Sequence, residues 1–79
     1  MNYKLLYFAS LSDQAGCTEE IVSSVCRDVT RLYTELRARH GFMWAAENLR
    51  VAVNGEFSSW DHKLAEGDEI VFLPPVSGG

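Results

Sequence analysis

The sequence contains little cysteine, histidine and proline, and these shortages exclude several classes of protein. Its two cysteines, Cys17 and Cys26, are too few for a disulfide scaffold. The two histidines, His40 and His62, lie far from them in sequence, so no zinc-binding spacing results. We therefore expect no bound metal and interpret both thiols as reduced structural residues.

Positive charge is also scarce. Seven Lys and Arg stand against eleven Asp and Glu, which gives a net charge of −4. Nucleic acids and anionic membranes both favour a basic face, so we expect neither as the main partner. Four arginines do gather on one segment, where we expect them to form its solvated side: Arg27, Arg31, Arg37 and Arg39.

Long apolar runs are absent. The stretch at residues 1–8 is too short for a membrane span and does not resemble a secretory signal. We therefore expect a cytoplasmic protein in which this stretch begins a strand. The chain has 79 residues, of which 47% are hydrophobic, and this is enough for one core and one domain.

The first half of the chain predicts two strands and a helix. Residues 3–9 indicate a strand, bounded by a turn segment at 10–16, and residues 18–22 indicate a second strand that pairs with it. A helical period then runs from Ser24 or Asp28 to His40, with Asp28 suited to the N-cap and Gly41 to the position after the helix. Its apolar stripe is Val25, Val29, Leu32, Tyr33 and Leu36.

The second half predicts three more strands. Residues 42–48 form a packed connection or helical turn, and residues 49–53 alternate as a strand before the tight-turn dipeptide Asn54-Gly55. Residues 57–62 form a short strand or turn, Leu64 fills the core, and residues 69–73 form the last strand. This order fits an α+β fold of the β-grasp type, a mixed sheet with one main helix packed on one face. In that fold the first and last strands lie parallel and adjacent at the centre.

The last strand leads into two prolines and two terminal glycines. Pro74 and Pro75 have no N–H for a sheet and hold φ at about −65°, so they end strand pairing and direct the remaining residues away from the body of the domain. Gly78 and Gly79 carry no side chain, which lets a narrow site close on the backbone. We predict a domain over residues 1–73 and an extended tail over residues 74–79. The tail residues expected to enter a partner are Pro74, Pro75, Val76, Ser77 and Gly78.

Strand alternation predicts a docking surface beside the tail. If Ile70 and Phe72 face the helix, the alternate residues of the first and last strands face outward. This outer face begins polar, with Lys4 beside Glu69, and becomes apolar toward the tail. The residues that we predict to contact a partner are Phe8, Phe57, Val71 and Leu73. The alternative is that residues 42–48 fold over this face.

Segments across nearly the whole chain resemble a known family. The strongest is the block GDEIVFLPPVSGG at residues 67–79, and it is preceded by KLLYFA at 4–9, VN at 53–54 and DHKL at 61–64. Together they resemble the MoaD-type small subunit of molybdopterin synthase, which is a sulfur carrier with a ubiquitin-like β-grasp fold.

The resemblance implies an activity carried by the Gly79 carboxylate. An ATP-dependent MoeB-type activating enzyme would adenylate it, and sulfur from a donor protein would convert it to a thiocarboxylate. Inside the large subunit of molybdopterin synthase it would give this sulfur to cyclic pyranopterin monophosphate, in molybdenum cofactor biosynthesis. The synthase would be a heterotetramer in which two small subunits flank a dimer of large ones. The chain would be a non-catalytic subunit without a bound cofactor, since ATP is used in trans.

Other functions stay open. The chain could carry sulfur for another pathway, such as the thiazole-forming ThiS type of thiamine synthesis. It could be a ubiquitin-like modifier whose Gly79 is joined to lysines of target proteins, or an interaction module with an inert tail. A sulfur-relay role for Cys17 or Cys26 is disfavoured, because free cysteine most often packs as a small hydrophobic residue. We interpret His62 as a polar turn residue and expect no catalytic pair from Asp68 and Glu69, whose side chains point to opposite faces.

Overall fold

Alternating apolar residues along five segments form one mixed sheet in the computed structural model, which describes residues 1–75. The strands are β1 (Asn2–Tyr7), β2 (Glu19–Ser23), β3 (Arg50–Val53), β4 (Glu56–Ser58) and β5 (Glu69–Leu73). Their order across the sheet is β2-β1-β5-β3-β4. β1 and β5 pair in parallel at the centre, and the other pairs are antiparallel. The predicted β-grasp arrangement is confirmed.

The main helix, α2 (Val29–His40), begins and ends where its capping residues indicate. The Asp28 side chain accepts a hydrogen bond of 2.8 Å from the backbone N–H of Arg31, which satisfies one of the free donors of the first turn. Gly41 follows the helix at φ 73°, in the left-handed conformation that glycine adopts most easily. Both predicted caps are confirmed.

The core lies between α2 and one face of the sheet. The helix contributes Val29, Leu32, Tyr33 and Leu36, all buried. The sheet contributes alternate residues of its strands, and the rings of Tyr33 and Phe72 lie 4.9 Å apart between their centroids. Leu64 is also buried, as predicted. The buried residues of the sheet are Tyr3, Leu5, Tyr7, Val22, Val51, Val53, Ile70 and Phe72.

Two predictions for the first half of the chain are wrong. Residues 10–16, expected as a turn segment, contain a short helix, α1 (Ser10–Ala15), which buries only Leu11 and so has no apolar stripe to reveal it. Val25 was expected on the apolar stripe of the main helix, yet it is 91% exposed. The helix begins only after Asp28, so Val25 lies outside it.

The turn between β3 and β4 fixes the start of the last strand. Asn54 and Gly55 both have positive φ, at 53° and 87°, as a two-residue hairpin turn requires. The Asn54 side-chain oxygen accepts a hydrogen bond of 3.0 Å from the Glu69 N–H, and the Asn54 N–H donates to the Glu69 carbonyl at 2.8 Å. The hairpin therefore holds β5 in register at its beginning.

The connection at residues 42–48 packs on the helix side of the sheet. Phe42 is buried against the rings of Tyr7 and Tyr33, with centroids 5.4 and 6.0 Å away. The Trp44 carbonyl accepts a hydrogen bond of 2.6 Å from the Tyr33 hydroxyl. A short 3-10 turn follows (Ala46–Asn48). Glu47 and Asn48 reach the edge of the outer face beside Leu73, but Phe57 on that face stays 68% exposed. The connection therefore does not cover the outer face, and that alternative is wrong.

Candidate functional site: the outer sheet face and the root of the tail

The alternation along β5 places its side chains on two faces. Ile70 and Phe72 are buried against the helix, whereas Glu69, Val71 and Leu73 are partly exposed on the other face. The strand ends at Leu73, and Pro74 and Pro75 leave the sheet as predicted from their missing N–H groups. The predicted site residues Val76, Ser77, Gly78 and Gly79 lie outside the described residues.

An apolar row crosses the outer face. The strand register places Leu6 opposite Val71, Val71 opposite Ala52, and Ala52 opposite Phe57. All four residues have solvent access, and Phe57 is 68% exposed. Phe8, just past the end of β1, is 50% exposed. The structure thus brings three of the four predicted partner-contacting residues, Phe57, Val71 and Leu73, to one face, and the fourth, Phe8, is exposed directly after β1.

The opposite end of the same face is charged. Lys4 pairs with Glu69 in the parallel register, and its Nζ lies 4.0 Å from Glu69 Oε2 and 3.8 Å from Glu19 Oε2. These exposed ion pairs each contribute about 0–1 kcal/mol to stability. Their main effect is to make this end of the face polar. The outer face therefore changes from paired charges around Lys4 to apolar side chains at the root of the tail, where β5 ends and Pro74 follows.

Arg50 lies beside the point where the tail leaves the sheet, and it was not predicted as a site residue. Arg50 lies directly opposite Leu73 in the antiparallel register. Its guanidinium carbon lies 5.6 Å from the centre of the Phe57 ring, within the range of a cation–π contact. Arg50 and Phe57 line a groove of about 450 Å³ together with Leu73, Pro74 and Pro75. The alternation along β3 predicts that the Arg50 side chain faces outward. It does not distinguish a functional residue from any other exposed residue.

The remaining candidate side chains are Cys17, Cys26, His62 and Asp68. Both cysteines are free, and burial, with a smaller effect from the Glu20 charge, raises the pKa of the Cys17 thiol, which disfavours a reactive thiolate. His62 is exposed in a turn. The Asp68 carboxylate accepts hydrogen bonds from the Ala65 N–H and the Asn54 side chain, at 2.8 and 3.0 Å, so it stabilises the turn before β5.

Neither a metal centre nor a membrane span is present in the part of the chain that the structure describes. Residues 1–75 hold no cluster of three or more His, Cys, Asp or Glu side chains that could bind a metal ion. None of their helices has both the length and the apolar character that crossing a membrane would require.

A buried polar contact beside β2 was also missed. His40 Nε2 lies 2.6 Å from Glu20 Oε2, and the Tyr7 hydroxyl donates to the same oxygen at 2.9 Å. Burial, together with the hydrogen bond to Glu20, raises the pKa of Tyr7 above its usual range. The three residues are distant in sequence, and no spacing rule connects them.

The fold, the outer face and the Gly-Gly end define a small ubiquitin-like β-grasp protein. The sequence matches the ThiS family over residues 5–79, and the chain belongs to this family. The molybdopterin synthase sulfur carrier subunit of Escherichia coli (strain K12) is 35% identical over 80 residues, which cover 96% of this chain and 98% of that one. The Homo sapiens subunit of the same name is 32% identical over 82 residues, covering 96% and 92%. The predicted resemblance is confirmed, and these relatives support a sulfur-carrier role.

Solved structures agree with this fold. A Pyrococcus furiosus protein assigned as molybdopterin converting factor, subunit 1, has a TM-score of 0.80 at 30% identity, covering 96% of this chain and 99% of that one. SAMP1 of Haloferax volcanii, a small archaeal modifier protein, has a TM-score of 0.80 at 26% identity and 100% coverage of both chains. A chain in the complex of subunits 1 and 2 of molybdopterin-converting factor from Helicobacter pylori 26695 has a TM-score of 0.69 at 22% identity, with 100% coverage of both chains. The last similarity shows the fold alone.

Proposed function

We propose that this protein is the small, sulfur-carrying subunit of a molybdopterin synthase, with the Gly79 carboxylate as the group that carries sulfur. One observation carries the proposal: β5 ends at an exposed apolar face and continues through Pro74 and Pro75 toward a Gly-Gly end. The similarity to molybdopterin synthase sulfur carrier subunits over almost the full length of both chains supports it.

The proposed chemistry needs activation of the terminal carboxylate. A carboxylate with a pKa of about 3.5 is anionic at neutral pH and a poor electrophile. A Gly79 oxygen attacks the α-phosphorus of ATP in the MoeB-type activating enzyme, forming a mixed anhydride and releasing pyrophosphate. Hydrosulfide (HS⁻) released by a donor protein then attacks the carbonyl carbon, and AMP leaves. The product is a thiocarboxylate that can transfer its sulfur to cyclic pyranopterin monophosphate in the large subunit.

The tail suits this sequence of partners. A segment of six residues from Pro74 onward reaches at most about 20 Å, far enough to place its end in a buried channel. Fixing each flexible backbone unit costs about 1–2 kcal/mol, and the two prolines reduce that cost on insertion. Gly78 and Gly79 present no side chain to either the nucleotide or the sulfur donor. The tail residues Val76 and Ser77 complete the inserted segment.

The outer face of this chain is the surface on which the large subunit docks. Phe57, Val71 and Leu73 lie on it and keep solvent access, and the exposed Phe8 directly follows β1. Contiguous exposed apolar area is a liability unless a partner covers it, and interface centres are rich in aromatic side chains. In the proposed heterotetramer two copies of the chain flank a dimer of large subunits, each with its tail in one active site.

The test is the fate of Gly79 under ATP and the activating enzyme. We expect an acyl-adenylate without a sulfur donor and, with a donor, a mass change equal to the replacement of one oxygen by sulfur. A chain that lacks Gly79 should form neither product, while its circular dichroism stays unchanged because the core ends at Leu73. Normal sulfur transfer by the truncated chain would overturn the proposal.

A second candidate is covalent protein modification. The similarity to the small archaeal modifier protein of Haloferax volcanii, at 26% identity over the full length of both chains, favours it. In this function the activated Gly79 carbonyl is attacked by a target lysine rather than by sulfur. Conjugates that carry Gly79 in an isopeptide bond, found in cell extract by mass spectrometry, would identify it. Their absence, together with a thiocarboxylate on the free protein, would favour the sulfur carrier.

A further inference from the structure

Arg50 is a prominent cation on the outer face near the tail. Lys4, at the far end of the face, already has Glu19 and Glu69 within 4.0 Å. Arg50 is exposed, and within residues 1–75 its guanidinium forms neither an ion pair nor a side-chain hydrogen bond. Glu47 lines the same groove but is not paired with it. Lys4 and Arg50 therefore differ: within residues 1–75 Lys4 has carboxylate partners and Arg50 has none.

Arg50 is also held in place. Its guanidinium carbon lies 5.6 Å from the centre of the Phe57 ring, on the neighbouring strand β4. Such a contact restricts a long side chain that would otherwise sample many rotamers, and this lowers the entropy lost when a ligand binds. The planar guanidinium offers paired N–H donors that match a carboxylate. At an exposed site the contact is worth about 0.5–1 kcal/mol, which favours this orientation before a partner arrives.

The position of Arg50 connects it with docking. It lies opposite Leu73, the last residue of β5, and it shares its groove with Pro74 and Pro75. Any protein that covers the proposed docking surface and receives the tail must pass over this groove. A guanidinium enclosed there needs an anionic partner, because an unpaired charge buried in an interface is costly.

We propose that Arg50 is a specificity-determining residue that donates hydrogen bonds to a carboxylate of the synthase large subunit at the root of the tail. This inference rests on the proposed function, since it names the chemistry of that partner's surface. A carboxylate is favoured over a phosphate of ATP because ATP reacts at Gly79, six residues beyond Leu73, whereas Arg50 lies opposite Leu73 itself. The pair would fix the angle at which the tail enters the partner.

The test measures binding of the large subunit to the full-length chain by titration calorimetry. Arg50→Glu should weaken binding at least about tenfold and Arg50→Gln less, because only the first adds repulsion between like charges. Arg27→Glu is the matched control. It makes the same change in net charge at an exposed arginine just before α2, and it should bind like the parent. Equal affinity of Arg50→Glu and the parent would overturn the inference.

A charge-swap experiment identifies the partner group. Each surface Asp or Glu of the large subunit is changed to Lys and titrated with Arg50→Glu; one of them should restore binding at least about threefold, as expected for a direct pair. If Arg50→Glu is weak and no change in the large subunit restores it, the occupant is not a carboxylate of that subunit and the inference is wrong. If the parent itself does not bind the large subunit, the proposed function fails, which is a distinct result.

Discussion

His40 Nε2 lies 2.6 Å from Glu20 Oε2, so the last residue of α2 is joined to strand β2. The same carboxylate oxygen accepts the Tyr7 hydroxyl at 2.9 Å. Tyr7 belongs to β1, so one carboxylate connects two strands and the helix. Because these side chains are largely shielded from water, the loss of one of them leaves the others without a partner.

Glu20→Ala should therefore destabilise the fold. It removes the acceptor of the buried Tyr7 hydroxyl, and an unsatisfied buried group costs about 1–3 kcal/mol. The control is Glu19→Ala, because Glu19 is the exposed neighbour whose ion pair with Lys4 is worth at most about 1 kcal/mol. Urea unfolding gives both free energies. Equal values for the two variants would show that the Glu20 contacts do not stabilise the protein.

Alkaline pH should destabilise the protein through its tyrosines. Burial is the main cause that raises the pKa of Tyr3, Tyr7 and Tyr33 above the ordinary value of 10.0. Above that pH the unfolded chain loses phenolic protons that the folded protein keeps, so the unfolded state binds fewer protons. The contribution of each tyrosine is fully present below about pH 10 and falls by about 1.4 kcal/mol per pH unit above it.

Tyr7→Phe tests this dependence. The variant should lose stability above about pH 10 less steeply than the parent, by about 1.4 kcal/mol per pH unit, because one titrating group is gone. Urea unfolding across that pH gives the two slopes. Cys17, whose pKa is also raised by burial, acts in the same direction but is present in both proteins. Identical slopes would contradict a shifted Tyr7.

Mutations on the outer face should leave the fold intact but weaken binding to the large subunit. Phe8→Asp or Leu73→Asp should weaken binding of the large subunit by well over tenfold, which needs only about 1.4 kcal/mol. Val25→Asp is the control, since Val25 is 91% exposed and lies outside the sheet. Titration calorimetry measures the affinities. If the first two variants bind as tightly as the parent, the tail alone must supply recognition.

Gly78 should be needed for entry into a narrow channel. Gly78→Val adds a β-branched side chain, which obstructs close approach to the backbone and penalises positive φ. We expect an unchanged unfolding curve but at least about tenfold slower formation of the thiocarboxylate, which corresponds to about 1.4 kcal/mol in the barrier. Gly78→Ala, which adds only a methyl group, should lose less than Gly78→Val. Equal product from Gly78→Val would show that the channel is wide.

The sequence predicts those features that depend on local patterns. Asp28 and Gly41 delimit the helix, and the alternation through Ile70 and Phe72 separates the two faces of β5. Prediction from the sequence fails where a feature depends on contacts between residues that are distant along the chain. Glu20 and His40 lie in different elements, and only the packing of α2 on the sheet brings them together.

Short or irregular elements were not predicted for a related reason. Helix α1 buries one residue, Leu11, so it leaves no helical period in the sequence. Val25 fits the spacing of the main helix but precedes its N-cap, because the capping hydrogen bond to Asp28 sets the start. At the site, Arg50 looks like any polar residue of an alternating strand until its register opposite Leu73 is known.

The central claim is that Gly79 carries sulfur to the pterin, and a single-turnover experiment tests it most directly. Thiocarboxylated protein is mixed with the large subunit and cyclic pyranopterin monophosphate, and its intact mass is monitored over time. We predict that sulfur at Gly79 is replaced by oxygen only when both are present, and that it appears in the pterin. A thiocarboxylate that persists in the complete mixture, or is lost equally without the pterin, would contradict the proposed function.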